Sequence, residues 1–279
     1  MIPGLAVCVK RGTFAQIQPT DKRKDMKISL IGYGKMGRAV GEAAIRRGHT
    51  VVATLDEGWQ ETDLPAETEM AIEFTRPAEA ARNIGRLLEL GLPVVSGTTG
   101  WLDEGREAVR RTLEATHGAL FYSSNYSIGV YLFRQMVRRL AAEMNLRPDF
   151  SEISMEEIHH IHKLDYPSGT ALTIARDDLL PALDRKSDVR AYLAPNPAPA
   201  LGDEAERTIL IKSIREGEVA GVHRVEFRSP GVEAIRIEHE SLGRESLALG
   251  AVLAAEFLLG KSGLFGMDDL MAPGDDGRL

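Results

Sequence analysis

Residues 27–45 read KISLIGYGKMGRAVGEAAI, and this stretch decides the fold. The apolar run at 27–32 has the length and residue types of a buried strand. It ends in G-x-G-x-x-G at 32–37, and Met36, Val40, Ala44 and Ile45 then recur at helical spacing. A second strand, 50–56, closes on Asp56 about 20 residues after the glycines, which is the context a dinucleotide-binding turn requires. Gly32 and Gly34 let the backbone approach a pyrophosphate, Gly37 lets helix pack on strand, and the helix start supplies N–H groups. Asp56 is expected to accept hydrogen bonds from ribose hydroxyls and to repel a 2′-phosphate. Glu57 follows it, so NADH is expected to be preferred over NADPH, with Lys35 and Arg38 as nearby cations that favour NADPH.

Working outward, strands are expected at 70–75, 92–97 and 119–123, with helices from Pro77 to about Leu90 and at 103–115 between them. Strands alternating with helices predict a parallel sheet covered on both faces. After a helix at about 128–144 the character changes. Residues 149–160 alternate apolar and polar, a helix is expected at about 169–183, and the Pro- and Ala-rich stretch 192–204 reads as a loop. Strands at 207–215, 218–229 and 232–241 follow, the last two joined by Pro230-Gly231. The fold class is α/β: a Rossmann-like parallel-sheet domain plus a second α+β domain with a mainly antiparallel sheet. The expected division is 26–129 with 243–279 for the dinucleotide and 130–242 for substrate and subunit contacts. A last helix, 245–260, can cover either domain.

Residues 1–25 carry their positive charge after a short apolar stretch, the wrong order for a secretory signal, and are expected to be a disordered extension ahead of Met26. The net charge of −7 argues against non-specific nucleic-acid binding. A single cysteine, Cys8, excludes an intrachain disulfide and a multi-thiolate zinc site. No apolar run approaches the roughly 20 residues of a membrane span. A cytoplasmic protein is expected.

Two stretches end expected strands at the sheet's ligand-binding edge: SGTTG (96–100) and YSSNYS (122–127). Their small residues let a nicotinamide ribose approach, and Tyr126 is placed to pack against the nicotinamide ring. The densest chemistry lies at 156–172, EEIHHIHKLDYPSGTAL. His159, His160 and His162 invite a metal reading. Neighbouring strand side chains diverge, however, and neither H-E-x-x-H nor a thiolate cluster is present, so no metal is expected. A solvated polar loop is the bland reading. A catalytic reading uses more of the residues. A histidine exchanges protons near neutrality, Lys163 adds positive charge, and Ser168, Gly169 and Thr170 open a helix where N–H groups and hydroxyls can bind a carboxylate or phosphate.

These residues resemble the signature E-x-H-H-x-x-K-x-D-A-P-S-G-T-A of the dihydrodipicolinate reductase family. GYGKMG, EFTRP (73–77), SGTTG, SSNYSIGV (123–130) and GKSGLFGMDDL (260–270) match further pieces in the family's order. The resemblance implies reduction of 4-hydroxy-tetrahydrodipicolinate with NADH or NADPH and loss of water, in lysine and diaminopimelate biosynthesis. It implies His159 as proton donor/acceptor, Lys163 as second catalytic residue, and His160, Ser168, Gly169 and Thr170 as ligands of substrate carboxylates. It implies cofactor contacts from Gly32, Tyr33, Gly34, Lys35, Met36, Gly37, Asp56, Gly97, Thr98, Thr99, Ser123, Ser124, Asn125 and Tyr126. A homotetramer joined through the second-domain sheets is implied too, with the last helix packed back on the nucleotide domain. The chain departs from the pattern at Tyr166, at GVH (221–223), at SLGR (241–244) and in the 192–206 loop. Another NAD(P)-dependent reductase of a small dicarboxylate, or a non-catalytic NAD-binding regulator, are the alternatives.

Overall fold

A computed structural model describes residues 25–272. The expectation for residues 1–25 lies, Asp25 apart, outside the described residues. The chain runs β1 (Lys27–Ile31), α1 (Lys35–Arg46), β2 (Thr50–Leu55), β3 (Met70–Glu73), α2 (Pro77–Glu89), β4 (Val94–Ser96), α3 (Leu102–Thr116) and β5 (Ala119–Tyr122). It continues through α4 (Ile128–Asn145), β6 (Glu152–His159), α5 (Gly169–Thr173), β7 (Asp188–Leu193), β8 (Thr208–Arg215), β9 (Gly221–Ser229) and β10 (Glu233–Ser241). It closes with α6 (Glu245–Leu258), β11 (Gly263–Phe265) and α7 (Met267–Met271).

The first sheet has the order β11-β5-β4-β3-β1-β2, and every ladder in it is parallel. β3 and β4 are buried along their whole length, as strands covered on both faces must be. Pro77 opens α2, where its missing N–H has no helical partner to lose. One core joins β1, β3 and α1 to α6 through Ala248, Ala251, Val252, Ala255 and Leu258, so the last long helix covers the first sheet. A second core, on the other face, packs α2 and α3 through Ile84, Leu87, Val109 and Leu113.

The second sheet has the order β10-β9-β6-β8-β7. β9 pairs antiparallel with both β6 and β10 over long registers. β8 instead runs parallel to β6 and to β7, so the sheet is mixed. The expected run of three successive antiparallel strands therefore holds only for β9 and β10. Residues 216–220 cannot form a β8–β9 hairpin, because β6 lies between those strands. β7 was not anticipated, and its last two residues, Tyr192 and Leu193, fall in the stretch expected as a loop; it is the edge strand. The expected helix at 169–183 is α5 followed by a π-helical turn, Ile174–Leu179, and a short 3-10 turn. α4 packs over this face through Phe133, Val137 and Ala141. Asp178, fully buried in the π turn, receives Arg134 at 2.7 Å and Arg138 at 2.5 Å. No helix among the described residues is long and apolar enough to cross a membrane.

Candidate active site

The glycine loop is shaped by contacts that exclude side chains. Gly32 has φ +90°, and a Cβ there would lie 2.2 Å from the Phe74 carbonyl oxygen. A Cβ on Gly37 would lie 2.0 Å from the Gly32 oxygen, which is how α1 sits so close to β1. The position at Gly34 is open, with nothing within 4 Å. Beside it lies a cleft of about 370 Å³ whose walls include Gly32, Gly34, Asp56, Glu57, Thr75 and Arg76. One oxygen of Asp56 accepts the Tyr33 N–H at 2.7 Å, which sets the loop against the end of β2. Arg76 pairs with Glu57 at the same rim, and the Arg38 guanidinium lies over the Tyr33 ring at 4.7 Å. Lys35 is exposed at the start of α1, and Met36 is partly buried behind it. Arg76 is a residue that the glycine pattern could not supply; its signal was only its place in EFTRP.

The next two loops are organised by a buried carboxyl group. Glu73 is fully buried at the end of β3. It accepts the Thr75 N–H at 2.9 Å, the Ser96 hydroxyl at 2.6 Å and the Thr98 hydroxyl at 2.7 Å, together with the Thr75 hydroxyl. Thr98 is thereby turned inward, and Gly97 lies against the Phe74 ring, where a Cβ would come within 2.1 Å. Thr99 and Ser124 are exposed at the loop tips. Ser123 and Asn125 hold their own loop: the Ser123 hydroxyl donates to the Asn125 carbonyl at 2.7 Å, and the Asn125 side chain accepts the Ser127 N–H at 2.9 Å. Tyr126 corrects an expectation. Its side chain is 1% exposed, its hydroxyl donates to the Ser96 carbonyl at 2.6 Å, and its ring packs on Phe121 and Phe74. A ring so enclosed has no face to offer a nicotinamide; it braces β4 against β5.

In the second sheet, the two-residue period of β6 places Ile153, Met155, Glu157 and His159 on its buried face. The apolar row thus ends in an acid and an imidazole. His160 follows the strand's last residue and is only half-buried, while His162 is exposed and faces Glu218 at 3.3 Å. Glu157 is fully buried. Both its oxygens lie 3.1 Å from the Ser168 N–H, and one accepts the Ser213 hydroxyl at 2.7 Å. His159 Nδ1 is 3.4 Å from the other oxygen, and Nδ1 makes no hydrogen bond among the described residues. Arg215 reaches Glu157 at 3.6 Å, and the His223 ring stands edge-on to His159 at 5.3 Å.

Burial lowers the His159 pKa. Glu157 opposes this, while Lys163, Arg215 and His160 add to it, so the ring is neutral at neutral pH. His223 is pushed down to about 4, chiefly by burial and then by the charge of His159. Burial pushes Glu157 upward, but hydrogen bonds from Ser168 and Ser213 and the charge of His159 outweigh it, and the group stays ionised. Lys163 is mostly buried along its stem and binds both oxygens of Asp165 at 2.7 and 2.8 Å. Glu157, His159 and His223 offer ligand atoms within 4.8 Å of one another. A cation among them would compete with the Arg215 guanidinium and with the Ser168 and Ser213 donors already on Glu157.

Ser168 is placed differently from its expected role. It is 3% exposed; its N–H is given to Glu157, and its hydroxyl caps the Ala171 N–H at 3.1 Å and meets His223 Nε2 at 3.1 Å. It is a strut under the loop, buried away from the open face of the cradle. Gly169 and Thr170 are the more open members of the cradle, in the first turn of α5, where a helix provides no internal partner for N–H groups. Glu157 stood only as the first letter of the quoted signature and His223 only inside the GVH departure, neither with a role, and Ser213 and Arg215 were not singled out from the sequence. Alternation along β6 already placed Glu157 beside His159; the other three come from strands far away in the chain.

A family model described as Dihydrodipicolinate reductase, N-terminus, matches residues 26–126, and one described as Dihydrodipicolinate reductase, C-terminus, matches residues 129–271. The chain belongs to the dihydrodipicolinate reductase family. A 4-hydroxy-tetrahydrodipicolinate reductase of Christiangramia forsetii is 39% identical over 248 residues, covering 88% of this chain and 98% of that protein. One from Neisseria meningitidis is 30% identical over 270 residues, covering 88% of this chain and 97% of that protein. The dipicolinate-bound dihydrodipicolinate reductase of Paenisporosarcina shares the fold, with a TM-score of 0.66 at 21% identity over 88% of this chain and 99% of its own. In this chain the parallel sheet carries the glycine cleft and the mixed sheet carries the histidine cluster.

Proposed function

We propose that this chain reduces 4-hydroxy-tetrahydrodipicolinate to tetrahydrodipicolinate with NADH or NADPH and loss of water, a step of lysine and diaminopimelate biosynthesis. The observation that carries this reading is the buried His159 at the end of β6, in a family-matched chain whose other sheet holds an open glycine cleft. Gly32, Gly34 and the start of α1 fit a pyrophosphate, since the backbone there is bare and the helix end offers N–H groups. Bound coenzyme supplies hydride. His159 exchanges the proton, and Lys163, held by Asp165, provides positive charge beside it. Gly169, Thr170 and His160 take the substrate carboxylates.

Asp56 keeps one oxygen for a ribose hydroxyl while the other holds the Tyr33 N–H, which supports a preference for NADH. The enzyme is assigned to the cytoplasm and to a homotetramer. Subunit contact through the second sheet is what the family resemblance implies. Coenzyme oxidation is measured with each nucleotide while dihydrodipicolinate synthase, pyruvate and aspartate semialdehyde generate the substrate. Substrate-dependent oxidation, faster with NADH, is expected. Silence with both nucleotides while NADH still binds would overturn the assignment.

A further inference from the structure

Resting on that reading, the geometry points to Glu157 as the positioning residue of the reaction: it holds the imidazolium that His159 becomes and ties that state to the loop starting at Ser168. Its carboxylate is fully buried, and its direction is fixed from two sides, by the Ser168 N–H and by the Ser213 hydroxyl. The oxygen left nearest His159 lies 3.4 Å from Nδ1, a nitrogen that has no other hydrogen-bond partner among the described residues. A slight tilt of the ring makes Nδ1–H a donor to it. That choice of tautomer leaves Nε2 as the working nitrogen. Nε2 faces Gly221, where a Cβ would stand only 3.1 Å away, so the bare glycine leaves this nitrogen uncrowded.

The groups facing His159 make Glu157 decisive. Glu157 comes from β6, Lys163 and His160 from the segment after it, Arg215 from β8 and His223 from β9. Glu157 is the anion among them; the others are cations or neutral rings. A buried imidazolium next to two fixed cations is costly unless an anion touches it. Glu157 takes no proton itself. It stays ionised while His159 changes charge, and its bond to Ser168 carries the same carboxylate to the base of the Gly169–Thr170 cradle.

The test uses the full-length enzyme and compares wild type with Glu157→Gln in the coupled assay. The expected result is a kcat lower by on the order of a hundredfold, with KM for NADH unchanged. The limb of the kcat profile set by His159 protonation is expected to move down by about one pH unit, because the anion that favours charged His159 is gone. A Glu157→Gln enzyme in which neither limb moves from the wild-type position, whatever its KM for substrate, overturns the inference and leaves Glu157 as a loop brace. If Glu157→Gln does not fold, the same profile is read on Glu157→Asp, whose charge is withdrawn by one methylene. A smaller shift in the same direction supports the inference, and an unmoved limb refutes it. Failure of the wild-type enzyme to turn over this substrate would instead count against the proposed function.

Discussion

Glu73 and Glu157 are two fully buried carboxyl groups near the carboxyl ends of strands, one in each sheet, and they differ in what they touch. Glu73 is met by hydroxyls and a backbone N–H from Thr75, Ser96 and Thr98, and makes no ion pair among the described residues. It fastens the loops after β3 and β4 under the glycine cleft. Glu157 is met by the Ser168 N–H and the Ser213 hydroxyl, and also by His159, His223 and Arg215. Neutral donors make a buried acid a brace. Titratable and cationic neighbours make it an electrical partner, because its charge then sets theirs.

Replacing the group that only the second site possesses should have the largest effect. His159→Gln is expected to lower kcat by roughly 10²–10⁴-fold with little change in NADH affinity, measured by steady-state rates and coenzyme titration. A loss under about tenfold would strip His159 of acid/base duty and remove the distinction between the two glutamates. Glu73→Ala leaves buried donors unsatisfied and is expected to cost about 3 kcal/mol in urea unfolding, while the limbs of the kcat pH profile stay in place. A moved acid limb in that variant would erase the contrast from the other side.

The pH dependence of stability sharpens it further. Burial depresses His223 from an unfolded value of 6.5 to about 4, so the folded state binds fewer protons and loses stability as pH falls through that window. His159 is also depressed and acts in the same sense. Unfolding free energy should drop by about 2 kcal/mol between about pH 7 and pH 5, and less in His223→Gln. An equal drop in that variant would place the titration elsewhere. The smallest effect is expected at the cleft rim. Asp56→Ser should reduce the NADH-to-NADPH ratio of kcat/KM by about tenfold, the worth of one charge-assisted hydrogen bond. An unchanged ratio would shift the selectivity to Arg76 and Glu57.

The strands of the first sheet were legible because each is a short apolar run bounded by turn residues, as at Val94–Ser96 and Ala119–Tyr122. β7 escaped notice because Asp188 and Arg190 break its apolar pattern on an edge strand. The direction of β8 was unreadable, since pairing across the sheet leaves no mark on the local period of the strand. At the site, His159, Lys163 and the glycine loop stood out through residue type and spacing. Tyr126 and Ser168 had the right position in the chain but point inward, which is decided by packing partners as distant as Ser96 and His223. Glu73 and Glu157 were hidden by the habit of reading charge as surface. Glu157 sits between Met155 and His159 on the buried face of β6, and Glu73 ends a strand that is buried along its whole length.

The return of α6 to the first sheet has a consequence for how the protein is made. Ile28, Leu30 and Phe121 share a core with Ala251 and Leu258, so the part of their stripe that α1 leaves bare stays uncovered until the ribosome has added more than 130 further residues after β5. At synthesis rates of about 5–20 residues per second, that is an interval of roughly 7–27 seconds. During it the whole second sheet emerges and can fold first. The growing chain must carry an exposed apolar face, a natural landing place for a chaperone, until its last long helix arrives.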